Sequence, residues 1–303
     1  MPTPREDTLA PYLSPEALDD RVDALAQRLH AEVVEYGRSV QGRPLRAVRV
    51  PAPGARRILC SANIHGPEFI GALTALGLLE SIAEGRWSPT AEVWAIPCLN
   101  PDGYARTWEA NGRGALPALR TNANGVDLNR NFPRPAPSPS WLPGAGSMQP
   151  GHATYRGPAP LSEPETAHLD ALCRAQGFHA SANMHSFMGT VIPASVRGRD
   201  EFTTYKQLAA TLAAAQTHTR YRRLSSRRLD VFTGEQEDHQ HHAHRTWAVC
   251  VESFPVLASF RQHRRAPSTF WRFNPRDPQH WIDNDVPGLQ AYFEAALALD
   301  PPG

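Results

Sequence analysis

Two kinds of apolar segment alternate along the chain, and this alternation constrains its fold more than any other feature. Short apolar runs typical of buried strands lie at 45–50, 58–62, 93–97, 178–184 and 248–251. Segments with apolar residues at helical spacing lie at 15–29, 73–82, 164–176, 201–216 and 286–299. Because strands that alternate with helices build sheets covered on both faces, the pattern predicts an α/β single domain with a central mixed, mostly parallel sheet flanked by helices.

Composition narrows the class of protein. A chain of 303 residues with a formal net charge of +1 is long enough for one large domain. That charge argues against binding to nucleic acid or a membrane surface through bulk electrostatics. No apolar run reaches the roughly 20 residues that span a bilayer, and the first residues lack the features of a secretory signal. Four scattered cysteines favour free thiols in a reducing compartment, so we expect a cytoplasmic enzyme.

Prolines interrupt the pattern in the middle of the chain. Residues 133–164 contain nine prolines, too many for regular secondary structure. Strong apolar segments on both sides are expected to belong to one sheet. We therefore interpret this stretch as a long surface loop within a single domain of residues 1–303, with no propeptide apparent.

A histidine and a glutamate stand three positions apart where a predicted strand gives way to a helix. His65 and Glu68 lie in Ser-Ala-Asn-Ile-His-Gly-Pro-Glu at 61–68. Open α/β sheets build their sites at such strand ends. An imidazole and a carboxylate, completed by a distant histidine, form a zinc site with one open coordination position. The pair alone is common by chance, so its meaning depends on the rest of the chain.

Further polar segments lie at the other predicted strand ends or in the loops that follow them. They occupy 100–103, 120–133, 155–166, 184–186 and 251–253. Together with the first pair they resemble the zinc carboxypeptidase family, which includes pancreatic carboxypeptidase A and bacterial murein peptide amidases. The most specific element is Asn-Gly-Val-Asp-Leu-Asn-Arg-Asn-Phe-Pro at 124–133. The resemblance covers most of the chain and implies a carboxypeptidase A-like fold with one Zn²⁺ per chain at the carboxyl edge of the sheet.

Carried over by position, the resemblance implies that His65, Glu68 and His185 are the zinc ligands. Two neutral imidazoles and one carboxylate are the donor set of carboxypeptidase A, and they leave a positive centre that acidifies a bound water. Glu252 matches the general base of the family. Its apolar flanks, Val251 and Phe254, favour the raised pKa that a carboxylate needs for that task.

Other residues of the resemblance concern the substrate. Arg120, nine residues before Asn129, resembles the arginine that stabilises the oxyanion. Asn129 and Arg130 resemble the pair that binds a terminal carboxylate, a task that suits the fork of donors on a guanidinium. Asp127 and Asn131 are expected to hold the loop in shape rather than to contact substrate.

The sequence departs from the family pattern at the specificity pocket. A gap-free count back from Glu252 places Glu237 at the position that reads the terminal side chain, where a carboxylate favours lysine, arginine or the amine of diaminopimelate. The alternative for Glu237 is a first-turn helix carboxylate stabilised by the helix dipole. The same count places Asp230 where digestive carboxypeptidases carry a mobile tyrosine, for which Tyr221 is a substitute if the loop is rearranged.

Four histidines stand within six positions before the last predicted strand: 239, 241, 242 and 244. His241 and His244 are three apart and share a helix face, so they are candidates for a second metal site. The alternative is a solvated helix face without a ligand.

We expect a zinc-dependent metallocarboxypeptidase, a hydrolase that cleaves a peptide or amide bond next to a free carboxylate. Two alternative activities on other substrates remain open. A murein-peptide (γ-D-glutamyl-diaminopimelate) amidase is favoured by the loop at 120–133 and the absent tyrosine. An aspartoacylase-like deacylase of N-acyl amino acids shares some motifs, but Asn-Pro-Asp-Gly at 100–103 is peptidase-like. A binding protein without activity is disfavoured because all ligands and the base are present. The expected partner is a peptide or small amide, with no nucleic acid or membrane.

Overall fold

A mixed sheet forms the centre of the computed structural model, which describes residues 9–135, 145–227, 232–256 and 260–303. Its strands within these ranges are β1 (Glu32–Arg38), β2 (Pro44–Val50), β3 (Arg57–Ala62), β4 (Glu92–Ile96), β5 (Ala180–Ser186), β6 (Thr190–Pro193), β7 (Arg222–Arg223) and β8 (Trp247–Ser253). Their order across the sheet is β1-β2-β4-β3-β5-β8-β6-β7. The four central strands β4, β3, β5 and β8 are parallel, and antiparallel pairings flank them. The predicted fold class is confirmed.

Helices pack on the sheet or carry the loops at its edge. Within the described ranges they are α1 (Pro15–Arg28), α2 (Phe69–Ala83), α3 (Pro101–Glu109), α4 (Leu116–Arg120), α5 (Pro164–Gln176), α6 (Arg199–Ala215), α7 (Gln236–His244), α8 (Phe260–Arg265), α9 (Phe270–Phe273), α10 (Pro278–Leu297) and a 3₁₀ turn (Leu128–Arg130). None of these described helices has the length and apolarity needed to cross a bilayer.

The hydrophobic core lies on both faces of the sheet. Because side chains alternate along a strand, β3 sends Ile58 and Cys60 to one face and Leu59 to the other. The first face packs against α1, α2, α6 and α10, and the second packs against α5. Burial on both faces explains why the central strands are continuous apolar runs in the sequence.

Polar start signals determine where several helices begin. The Ser14 hydroxyl accepts a hydrogen bond from Ala17 N at the start of α1, as its position before a proline predicts. Asn100 caps α3 in the same way, so the segment 100–103, predicted to be a turn, is the first turn of a helix. The last helix begins at Pro278 rather than at the predicted 286, because Asp277 caps it there.

The described residues of the proline-rich segment form almost no regular secondary structure. Residues 136–144 lie outside the described part, and residues 133–135 and 145–163 contain no helix or strand beyond one bridge between Ser147 and Tyr155. All four cysteines are free thiols, as predicted.

Candidate metal centre and active site

The parallel strands bring the predicted metal ligands and the predicted base to one edge of the sheet. His185 and Glu252 are register partners on β5 and β8, one residue before each strand ends. His65 follows the neighbouring strand β3, and Glu68 stands at the start of α2. Because the carboxyl ends of parallel strands meet at the same edge, residues from distant parts of the chain face one another.

Three donor groups converge at this edge. His65 Nδ1 lies 2.9 Å from Glu68 Oε1, and His185 Nδ1 lies 3.1 Å from His65 Nδ1 and 3.0 Å from Glu68 Oε2. Donors that each lie about 2.0–2.2 Å from one ion are themselves about 3 Å apart. All three residues are at most 2% exposed. Two imidazole nitrogens that face each other beside a buried carboxylate fit a zinc ion.

The ionisation of these groups suits metal binding. Burial opposes the charge on Glu68, but His65 and His185 outweigh burial and hold its pKa below the usual range. Burial lowers the pKa of His185, despite the opposing effect of Glu68, so this imidazole is neutral near pH 7. A neutral imidazole and an ionised carboxylate are the forms that bind a metal.

Asp127 connects the metal ligands to the cationic side of the site. Its Oδ1 lies 3.1 Å from His65 Nε2, and its Oδ2 accepts a hydrogen bond of 2.9 Å from Arg120 Nε. Burial opposes ionisation of Asp127, but Arg120 and His65 keep its pKa well below the usual range. A carboxylate behind a ligating histidine fixes the ring and its tautomer. The sequence predicted that Asp127 shapes the loop but not that it contacts His65.

Glu252 faces the cavity next to the ligands. Burial, followed by the nearby charge of Glu68, raises the pKa of Glu252 to about 8, and Arg120 partly offsets this rise. No described residue hydrogen-bonds Glu252 Oε2. A carboxylate with a raised pKa and a free oxygen in a cavity is equipped to accept and return a proton.

A cavity of 310 Å³ brings the ligands, the base and the predicted substrate-binding residues together. Asn129 and Arg130 line it with Arg120, and Asn129 Oδ1 accepts a hydrogen bond from Gln236 N. The Arg130 guanidinium lies 4.9 Å above the Phe232 ring and 3.4 Å from a Glu235 oxygen. The remaining wall is provided by Leu116, Ala153, Thr154, Ser186, Phe187, Met188, Ile192, Cys250 and Phe273. The proline-rich loop therefore contributes two wall residues.

The structure adds Glu235 to the candidates for the specificity pocket. Glu235 lines the cavity, whereas Glu237 does not. Glu237 lies in the first turn of α7 and is 1% exposed, and neither of its oxygens has a hydrogen-bond partner among the described residues. Burial, followed by the charges of Glu235 and Asp238, raises its pKa well above the usual range. Glu235, which precedes the helix that begins at Gln236, thus lies at the cavity wall, and Glu237 lies buried in the first turn of that helix.

Tyr221 does not replace the missing tyrosine in this arrangement. It is buried, and its hydroxyl lies 3.4 Å from Ser253 Oγ and accepts a hydrogen bond from Phe254 N. It therefore supports the end of β8 behind Glu252 rather than the cavity. Asp230, the residue predicted at the position of the tyrosine, lies outside the described residues.

The histidines of α7 are also arranged differently from the prediction. His241 Nδ1 pairs with the Tyr205 hydroxyl at 2.9 Å, so His241 does not share a site with His244. His244 instead meets His239 at Asp170 of α5. The contact depends on packing between two helices, which the spacing within one helix does not report.

A family model described as zinc carboxypeptidase matches residues 20–254 of this chain. Carboxypeptidase D of Drosophila melanogaster is 32% identical over 192 residues, which cover 57% of this chain and 13% of that protein. Metallocarboxypeptidase A of Trichophyton tonsurans is 27% identical over 180 residues, which cover 53% of this chain and 41% of that protein. The chain thus spans less than half the length of these curated relatives.

Solved structures share the fold over nearly the whole chain. Bovine thrombin-activatable fibrinolysis inhibitor, in complex with tick carboxypeptidase inhibitor, aligns with a TM-score of 0.75 at 19% identity, over 95% of this chain and 98% of that one. Carboxypeptidase A from Helicoverpa armigera gives the same TM-score of 0.75 at 19% identity, over 95% of this chain and 74% of that one. At these identities the likeness concerns the fold.

Proposed function

The chain belongs to the zinc carboxypeptidase family, and from this premise we propose that it hydrolyses the peptide or amide bond that precedes a free carboxylate. The observation that carries the proposal is the pairing of His185 with Glu252 in the register of β5 and β8. This pairing places a metal ligand and a carboxylate with a free oxygen at the wall of one cavity. Arg120, Asn129 and Arg130 line the same cavity.

His65, Glu68 and His185 would hold the metal. When bound, zinc supplies Lewis acidity that polarises a carbonyl oxygen and lowers the pKa of a neighbouring water. The protein fixes the orientation of His65 through Asp127, and the burial of all three ligands excludes competing solvent.

Glu252 moves the proton in this proposal. Its carboxylate takes one proton from the attacking water, and the resulting hydroxyl adds to the carbonyl carbon. The same carboxyl group then gives the proton to the leaving nitrogen as the carbon–nitrogen bond breaks. The burial that raises the pKa of Glu252 makes both transfers accessible near neutral pH.

Two guanidinium groups and one amide of the cavity bind different parts of the substrate. Arg120 is held by Asp127 through its Nε, and its Nη1 lies 3.9 Å from Glu68 Oε1, beyond hydrogen-bond distance. Its Nη groups can therefore donate to the oxygen on which negative charge develops. Asn129 and Arg130 bind the terminal carboxylate of the substrate. The Arg130 Nε has no hydrogen-bond partner among the described residues, which leaves a donor for such an anion.

Besides Glu68 and Glu252, the cavity wall contains Glu235, whose carboxylate favours a cationic terminal side chain. It lies 3.4 Å from Arg130 and faces the cavity, whereas Glu237 is enclosed and its pKa is raised. Lysine, arginine and the free amine of diaminopimelate all present a cation that complements one carboxylate. The murein-peptide amidase therefore remains a second candidate, favoured by the same residue.

A cytoplasmic location is part of the proposal. All four cysteines are free, and reducing compartments keep thiols in that state. Fractionation of cells that express the chain at native level tests this, since recovery in another compartment contradicts it.

A substrate panel with two matched variants tests the assignment. The panel contains peptides ending in lysine or arginine, peptides ending in apolar residues, γ-glutamyl-diaminopimelate peptides and N-acyl amino acids. We expect the wild type to prefer cationic ends. Glu235→Gln should lower kcat/KM for those substrates by at least about 10-fold, the effect of roughly 1.4 kcal/mol, and should affect apolar ends far less.

Glu237→Gln is the control, because it changes a carboxylate two residues away that does not line the cavity. It should leave the preference unchanged. If Glu237→Gln removes the preference and Glu235→Gln does not, the original assignment of Glu237 is right. Exclusive turnover of N-acyl amino acids contradicts the peptidase proposal altogether.

A further inference from the structure

A second cluster of metal-binding side chains lies away from the catalytic cavity. Asp170 of α5 stands between His239 and His244 of α7. Its Oδ1 is 2.7 Å from His239 Nε2 and 2.8 Å from His244 Nε2. The two rings are 5.1 Å apart at 87° to each other, so their nitrogens approach the carboxylate from two directions.

The spacing of this cluster is close to that of the catalytic ligands. One oxygen or nitrogen donor from each of the three residues falls within 4.8 Å of the others, as at His65, Glu68 and His185. Contacts between donor atoms are 2.7–2.8 Å here and 2.9–3.1 Å at the catalytic centre. Both clusters contain two imidazoles and one carboxylate.

The cluster is slightly exposed, so an ion bound there could take a water molecule as a further ligand. The side chains of Asp170, His239 and His244 are 6–8% exposed. Burial lowers the pKa of His239, so its imidazole is neutral near pH 7 although Asp170 opposes that effect. Arg174 pairs with Asp170 Oδ2, but its side chain is 72% exposed, and such a surface pair adds little stability.

We propose that Asp170, His239 and His244 form a second, non-catalytic binding site for a divalent transition metal ion. Two imidazole nitrogens and a carboxylate oxygen favour Zn²⁺, Co²⁺, Ni²⁺ or Cu²⁺ over Mg²⁺ or Ca²⁺, which prefer oxygen donors. On binding, His239 and His244 would each present the lone pair of Nε2 to the ion, with the ring proton on Nδ1. The ion would thereby replace the two hydrogen bonds to Asp170.

The position of the site gives the ion a structural task. It would join α5 to α7, and α7 leads directly into β8, the strand that ends with Glu252. Phe132, which follows the loop containing Asn129 and Arg130, stacks on His239 with ring centroids 5.6 Å apart. An ion here would thus stabilise the contact between the segments that carry the base and the carboxylate-binding residues.

Zinc stoichiometry tests the proposal with the full chain. Protein treated with a chelator and desalted is titrated with Zn²⁺ by calorimetry, and bound zinc is counted by elemental analysis. The wild type should bind two equivalents. His185→Ala, which removes a catalytic ligand, should still bind one, and adding His239→Ala should abolish that one.

Two more variants in the His185→Ala background separate ligation from folding. Asp170→Asn keeps a hydrogen-bond acceptor for both histidines but removes the charge. Loss of an outer-shell partner typically lowers metal affinity by about 10- to 100-fold. Because Asp170 is a proposed ligand, Asp170→Asn should lower the affinity for the remaining zinc ion by more than that. His242→Ala is the control, since His242 points to Ser195 O, and it should keep that equivalent. Retention of full zinc affinity in Asp170→Asn, or no zinc in His185→Ala, would overturn the proposal.

Discussion

At the scale of residues, Asp127 links the predicted zinc ligand His65 to the predicted oxyanion-binding residue Arg120. One of its oxygens contacts His65 and the other accepts from Arg120. The motif at 124–133 predicts a site, because its amide and guanidinium groups suit a carboxylate, but it does not report this contact across 62 residues. The contact arises because the loop after α4 packs over the end of β3.

Neutralising Asp127 should therefore weaken both metal binding and catalysis. Asp127→Asn is expected to reduce zinc affinity by about 10- to 100-fold, because the amide holds the His65 ring less firmly than the carboxylate does. Competition with a chromophoric chelator measures this change. Asp102→Asn is the control: Asp102 is also buried, but its hydrogen bonds come from Ser39, Gln41 and Arg43 and not from a predicted zinc ligand. Equal losses in both variants would contradict the role of Asp127.

The residue that contacts the terminal side chain of the substrate is harder to predict from the sequence than the residues of the metal site. His65 follows β3, and His185 and Glu252 lie at the ends of β5 and β8. The apolar runs of these strands fix their location, so the sequence predicts that the three residues meet at one edge of the sheet. Glu237 was placed by a gap-free count through an irregular loop. In the structure Glu235 lines the cavity and Glu237 lies buried in the first turn of α7, so Glu235 is a further candidate that the count did not identify.

At the scale of elements, the turn between β3 and α2 holds the first two ligands in place. Gly66 lies between His65 and Glu68, and its N donates a hydrogen bond to Arg120 O. A Cβ at this position would meet Leu119 O and would lie 2.7 Å from Gly103 O. The turn is thus packed against the backbones of α3 and α4, neither of which the sequence predicted.

Replacing this glycine tests the packing. Gly66→Ala should cost about 1–3 kcal/mol of stability, the range for overpacking, and should reduce the zinc content because the ligands shift. Urea unfolding and elemental analysis measure the two effects. Gly198→Ala is the control, since its Cβ would meet only the flexible Glu201 side chain at 3.0 Å and should change stability by less than about 1 kcal/mol. An unchanged Gly66→Ala protein would contradict this packing.

The success of the element predictions follows from burial. Central strands buried on both faces leave a continuous apolar signal, and α5 was predicted at its observed bounds from its periodicity and its leading proline. The edge strand β1 was missed because its residues are partly exposed or exposed and its sequence is mixed. Short helices at the sheet edge were missed because they depend on tertiary contacts more than on periodicity.

At the scale of the whole molecule, topology accounts for the site. Four parallel strands end at one edge. Their last residues and the connections that follow them supply the predicted ligands, base and substrate-binding groups. The antiparallel strands extend the sheet on both sides of this centre. The mixed sheet and the meeting of His65, Glu68 and His185 at its edge were predictable from the chain. The meeting of α5 and α7 at Asp170 was not, since Asp170 precedes His239 by 69 positions and His244 by 74.

The central claim is that Glu252 moves the proton beside a zinc ion held by His65, Glu68 and His185. Its most direct test is the rate at which zinc-loaded wild type and Glu252→Gln release the terminal amino acid from the preferred peptide, with bound zinc counted in the same samples. We expect kcat to fall by at least about 100- to 10,000-fold while the catalytic zinc is retained. Comparable release by Glu252→Gln, or activity in a protein without bound metal, would contradict the claim.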